Sequence, residues 1–465
     1  MVREVSMRVT DLFGCPLTIA DGEAAASWSA TALAFLAHGD AAAGHLGDTL
    51  ARDPDFAMGH AARGLFCLLL ARREMVAPAR AALEAARAGA ARSGTTARET
   101  AYIEALADWL GGRPSAAADR FDRVLRDHPG DALALKLGHQ IRFMLGDIRG
   151  MRRSIEDVIE GYDDAHPAAG YVHGCHAFAL EETGAFAAAE FAGRRGLDLA
   201  PDDAWGLHAV AHVHDMTGRA EAGIAWLDGR HAAFGHCNNF RYHVWWHKAL
   251  FHLDLGQFDE VLSLYDAAVR PDHTDDFRDI ANGASLLSRL ELEGVHVGHR
   301  WEELAAISEG RTDDGCLVFA DLHYLLALCG GERTESAARL VARMRADAAR
   351  ADCEMGRVTA DPGVAAATAL AAFRDGDYRA AHRAFQACRP RMQKIGGSHA
   401  QRDVFERLAI EAAIRAGLLH EARGLVTDRV SFRGAMDAFA TDRMRRIEDA
   451  MADAACDEPR LHAAI

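Results

Sequence analysis

The sequence predicts an all-α protein, an α-solenoid of tetratricopeptide-type helical hairpins curled into a right-handed superhelix. Three observations predict it: the composition, a recurring glycine, and the residues that flank each glycine. Half of the residues are apolar, only 7% are aromatic, and there are 11 prolines in 465 positions. A chain rich in alanine and poor in proline and long β-branched runs favours close helix packing over sheets.

The segment from Tyr102 to Pro129 sets the repeat frame. Gly112 stands in the turn, Ala117 early in the second helix, Phe121 four residues on, then Leu125 and Pro129. The next turn glycine is Gly146, followed by Gly184 (with Ala189, Leu197 and Pro201) and Gly218. Gly256, Gly294, the pair Gly330-Gly331, Gly376 and Gly417 continue the series at longer spacings. One hairpin cannot bury its apolar face alone, so each stacks on its neighbours, with the first helix of every unit lining a concave face. The expected layout is a single domain over 1–465. Residues 1–40 form an N-terminal cap, 41–435 about nine or ten helix pairs, and 436–465 a C-terminal helix and tail.

Charge and cysteine usage narrow the function classes. With 68 acidic against 52 basic side chains the formal net charge is −16. A surface of that sign repels phosphate backbones and anionic headgroups, so neither nucleic acid nor membrane is expected as a partner. Nine scattered cysteines without a C-x-x-C pair suit a reducing compartment, and the N-terminus lacks an apolar leader. The expected location is the cytoplasm.

Polar chemistry collects in the middle of the chain. Eleven of the 24 histidines lie between His166 and His252, with Trp205, Trp245 and Trp246 among them. In the repeat frame Trp205, His208, His212 and Asp215 take concave positions of one first helix. Glu181, with Glu182 beside it, takes one in the unit before, and His243 and Trp246 take two in the unit after. His208-x-x-x-His212 and His243-x-x-x-His247 each place two rings on one helix face, although His247 itself falls off the concave register. The two pairs could ligate a divalent metal, with a carboxylate as further ligand. Alternatively, His208 or His243 could act as a general base oriented by Glu181, Glu182 or Asp215. Packing is the bland reading of the same residues. The metalloprotease pattern H-E-x-x-H is absent, as are phosphate-binding and nucleophile-elbow motifs. Asp321-x-His323 could reach the same groove or form a buried pair. Ser398 reads as a helix N-cap with Gln401 three residues on.

Several strings resemble the tetratricopeptide repeat protein 38 family. They are His208-Ala-Val-Ala-His212-Val-His214-Asp-Met216, His243-Val-Trp-Trp246-His247, Arg289-Leu-Glu-Leu-Glu-Gly294 and Gly396-Gly-Ser-His-Ala-Gln-Arg-Asp403. The likeness spans most of the chain in the same order. It implies a divergent helical-repeat fold and carries no settled activity. It also implies that Glu182, Asp203, Trp205, His208, His212, His243, Trp246 and His247 are positions of the family pattern. The chain departs from that pattern at Val244, where asparagine is expected, and at Asn282, where aspartate is expected. The missing carboxylate at 282 weakens any role for that unit as acid, base or ligand.

The leading functional expectation is a binding protein that holds a small molecule or peptide end in a pocket lined by Trp205, His208, His212, Asp215, Glu181, Glu182, His243, Trp246, His247, Asp321 and His323. A hydrolase using the same pocket, metal-assisted or not, is the runner-up, and an assembly scaffold the third reading. Homo-oligomerisation stays open.

Overall fold

The computed structural model describes residues 9–19, 21–350 and 352–462, with side chains through 453. Apart from the isolated bridges Thr10–Pro16 and Gly39–Cys237, the regular structure among these residues is helical. Helical hairpins follow one another along the chain, as a tetratricopeptide-type repeat requires. The segment expected as a cap carries the helix Gly22–Leu36, which pairs with Ala42–Arg52. The last helix runs Ala438–His462.

The hairpin turns obey one backbone rule. Gly112, Gly146, Gly184, Gly218, Gly256, Gly294, Gly376 and Gly417 all have φ between +66° and +82°, the left-handed region where a Cβ is penalised. The predicted pair Gly330-Gly331 departs from this. Gly331 has φ −87°, and the left-handed position moves one residue on, to Glu332 at φ +55°. The long interval to Gly376 is filled by the short helix Glu354–Val358 and a wide turn at Thr359–Gly363.

The chain forms two compact units. The first holds residues up to Val210 with Gly229–Val244 and Arg350–Arg357; the second holds Ala211–Asp228, Trp245–Ala349 and residues from Val358 onward. Two of their borders fall inside continuous helices, Ala204–Met216 and Phe240–Asp254.

In the first unit, Asp131 is an anchor. It caps the helix Ala132–Leu145 through Ala134 N–H at 3.0 Å, accepts from Arg98 Nε at 2.6 Å and takes the Tyr102 hydroxyl at 3.1 Å. Arg98 also pairs with Asp11 at 2.8 Å, and all three charges are buried. Tyr102 meets Phe121 edge to face at 5.1 Å, the pair that the repeat frame brings together. Glu354 accepts from Ser115 N–H at 3.0 Å, which ties the Arg350–Arg357 segment into this unit.

A second anchor in this unit is Asp203. Its carboxylate is wedged where glycines let helices approach: a Cβ on Gly174 would sit 2.0 Å from its Oδ2, and one on Gly206 2.3 Å away. Burial pushes its carboxyl up to about 7 against the downward pull of Lys136 and the backbone N–H groups of Gly206 and Trp205.

In the second unit the helices Phe277–Leu292 and His399–Arg415 are buried on nearly every face, charged residues included. Ser398 and Gln401 form the reciprocal capping box that the sequence pattern predicts. Arg429 bridges Asp403 at 2.6 Å and Asp437 at 2.6 Å, and Arg443 bridges Glu411 at 2.9 Å and Glu293 at 2.7 Å.

Replacing Glu332 by glycine relieves a left-handed backbone and should stabilise the protein by about 1 kcal/mol, whereas Gly184→Ala should cost a similar amount. Urea denaturation checks both, and a loss of stability in Glu332→Gly would contradict the first. Asp203 binds its proton more tightly folded (about 7) than unfolded (about 3.9), so its contribution is present at acidic pH and lost as pH rises through 7. Asp203→Asn should flatten the stability profile between those values, where the slope from this group is at most about 1.4 kcal/mol per pH unit. Parallel profiles of variant and wild type would show that Asp203 does not titrate there.

Candidate metal centre

The helices Ala204–Met216 and Phe240–Asp254 supply the candidate site. Both are apolar enough to be buried, and both carry histidines at i, i+4, which stack on one face a turn apart. His208, His212, His243 and His247 are all buried, His212 and His247 completely. His208 Nε2 lies 3.1 Å from His243 Nε2, and the rings of His212 and His247 are 4.4 Å apart. One ring nitrogen from each of the four lies within 4.8 Å of the others. The site thus unites both predicted pairs, including His247, which the repeat frame had set aside.

At 3.1 Å the two Nε2 atoms can face each other in two ways: one donates its N–H to the lone pair of the other, or both turn lone pairs to a shared cation. Four neutral imidazoles with lone pairs converging in a small volume form a donor set for zinc or another borderline divalent ion. Glu181 and Glu182, on the helix Ala169–Glu182, each bring a carboxylate oxygen within 4.8 Å of a His212 nitrogen. Both are buried. Carboxylates at that position orient a ligating imidazole and offset the charge of a bound cation. The cluster is therefore able to coordinate a divalent metal.

Trp205 belongs to an aromatic nest in the first unit. Its ring centroid lies 4.6 Å from Phe178, 5.1 Å from His208, 5.2 Å from His38 and 5.4 Å from Phe240. Lys136 Nζ stands 4.6 Å over the same ring and 3.7 Å from Cys175 Sγ, with the lysine only 1% exposed. Trp246 lies in the second unit under the Arg289 guanidinium at 5.5 Å.

The other expected residues are engaged elsewhere. Asp215 pairs with Arg433 at 3.0 Å. Asp321 pairs with Arg343 at 2.5 Å, while His323 bonds the Phe319 carbonyl through Nδ1 at 2.7 Å and packs on Phe405, so the two do not form a pair. Burial pushes His323 down to about 4, a neutral ring at physiological pH. Sequence reasoning missed Lys136, Arg289 and Arg433. The first two sit inside apolar helical runs, and that placement was the available signal.

No protein-family model matches the chain. Similar solved structures include two human IFIT1 dimers, one with PPP-AAAA (TM-score 0.39) and one with m7Gppp-AAAA (0.40). Each is 13% identical, and the match covers 82% of this chain and 87% of that one. Yeast Tom70 is another, at 11% identity and TM-score 0.35, with coverage of 94% and 90%. Scores this low carry no argument about activity. They do require one correction, because proteins similar to this chain are solved with ligands written in nucleotide letters. The exclusion of nucleic acid as a partner is withdrawn. Its physical flaw is that a net charge of −16 is a sum over the chain and does not fix the sign of any one patch of its surface. As for membranes, no helix among the described residues is long and apolar enough to cross one.

Proposed function

We propose that this chain is a helical-repeat binding protein with a divalent metal at its histidine centre, ligated by His208, His212, His243 and His247. The convergence of four ring nitrogens within 4.8 Å carries the reading. Four protein ligands close a tetrahedral shell, the arrangement of metals that organise structure, whereas catalytic zinc keeps a position open. The metal would lock two successive first helices of the repeat and so shape the surface that receives a small molecule or peptide end. Membership in the tetratricopeptide repeat protein 38 family is part of the proposal, supported by the strings around these histidines.

The hydrolase alternative, with His208 or His243 as base, has less behind it. Asp215 is committed to Arg433, and the two histidines face each other. Its remaining support is the proximity of Glu181 and Glu182 to His212.

Elemental analysis of untagged protein should find about one zinc, manganese or iron per chain, because four converging imidazoles bind such ions tightly. A folded His208→Ala/His243→Ala variant should lose it. If that variant unfolds, His247→Gln provides the same comparison with a smaller change in volume. Wild-type protein that contains no metal and takes up none on titration would overturn the metal reading.

A further inference from the structure

In the second unit a cleft of about 470 Å³ opens beside the start of the last helix, with Leu253, Asp254, Phe258, Leu292, Phe439 and Arg443 on its walls. That is the volume of a small-molecule site. At Leu253, Asp254 and Arg407 it adjoins a chamber of about 10 Å³, enough for one water-sized group. Arg289 lines the chamber together with Asp215, Asp403, Arg433 and Asp437.

Most charges here are matched. Asp215 has Arg433 at 3.0 Å, Asp403 has Arg429 at 2.6 Å and Arg407 at 2.7 Å, Asp437 has Arg429 at 2.6 Å, and Glu293 has Arg443 at 2.7 Å. Two groups are left over. Arg289, 1% exposed, donates to the carbonyls of Ser285 (3.1 Å) and Ala400 (2.6 Å) and lies over Trp246, with no carboxylate at ion-pair distance among the described residues. Asp254 accepts the Ala438 backbone N–H at 3.0 Å and has no cationic partner among the described residues. Burial acts on both in the expected directions: it lowers Arg289 to about 9, still charged at neutral pH, and raises Asp254. A buried guanidinium without a counter-charge is costly, and the network around it shows that this fold otherwise supplies carboxylates.

We infer that the cleft binds a free α-amino acid, one oxygen of its carboxylate entering the chamber against Arg289, its ammonium on Asp254, and its side chain lying in the outer cleft. Only a zwitterion completes both charges at once. One carbon separates ammonium from carboxylate in an α-amino acid, and Asp254 and Arg289 both line the one small chamber. Phe258, Leu292 and Phe439 give the outer cleft apolar walls for the side chain. This site goes beyond the metal reading and stands without it.

The test is thermal unfolding and calorimetric titration of the full chain with each proteinogenic amino acid at about 10 mM, a concentration at which even weak native-state binding raises the melting temperature. At least one should raise it, while its amide and N-acetyl derivatives should not. Asp254→Asn keeps the cap on Ala438 and should weaken binding by at least about tenfold. Arg289→Gln should do the same if it folds; if it does not, Asp254→Asn decides. No response to any amino acid, equal binding of the blocked derivatives, or wild-type affinity in Asp254→Asn would each overturn the inference and leave Arg289 a structural arginine. Repeating the titration on the His208→Ala/His243→Ala variant separates this outcome from that of the metal reading.

Discussion

The governing constraint is that the inner helices are buried on almost every face and yet carry charge. Desolvating an ion costs several kcal/mol unless a partner restores it. In the first unit the constraint is met at Asp131, which gathers Arg98, Tyr102 and a helix N-terminus. In the second it is met by Arg429 between Asp403 and Asp437, whose carboxyls the arginines hold well below the usual carboxylate range. Removing one member of such a set would strand the others, at a cost of about 3–5 kcal/mol. Groups for which burial wins instead, such as Asp203 and Arg289, mark where the internal balance is incomplete.

Histidine meets the same constraint differently. A neutral imidazole is cheaper to bury than an ion, and it keeps a lone pair directed at its neighbours. Two helices that each present a histidine pair therefore pack into a buried setting and still converge four donors in one small volume. Glu181 and Glu182, buried beside His212, supply negative charge that a divalent ion would offset. The aromatic nest around Trp205 fixes the ring of His208, and through it the geometry of the pair with His243.

Much of the fold was legible because its signal is local. A left-handed turn needs glycine, and a hairpin repeat needs that turn at regular intervals, so Gly112 through Gly256 could be placed by counting. Counting failed at Gly331: this glycine and Gly330 lie so close to Ala305 and Trp301 that an added Cβ would sit 2.3 Å from each, and the left-handed conformation falls on Glu332 at φ +55° instead. The histidine pairs were equally legible through i, i+4 spacing. What spacing does not encode is which partner lies across from a residue on another helix. Asp215 looked like an orienting acid for His208, but Arg433, 218 positions away, holds it. Asp321 and His323 looked paired, but residues two apart on a helix point in different directions, and each found its own partner.

The same bookkeeping of buried charge links the two candidate sites. A fold that needed only packing would satisfy it with leucine and alanine, as the repeat does along most of its length. Where polar groups are present and matched, as at Arg429, the chain is complete in itself. At the histidine centre four donors and two acids lie together in a way that a cation would complete. At the cleft, Arg289 and Asp254 lie together in a way that a zwitterion would complete. At the cleft the surrounding acids and arginines already hold one another at 2.6–3.0 Å. The convergence of ring nitrogens in one place, and the pair Arg289 and Asp254 in the other, are therefore the features of this chain that point outside it, to a metal in one case and to a small ligand in the other.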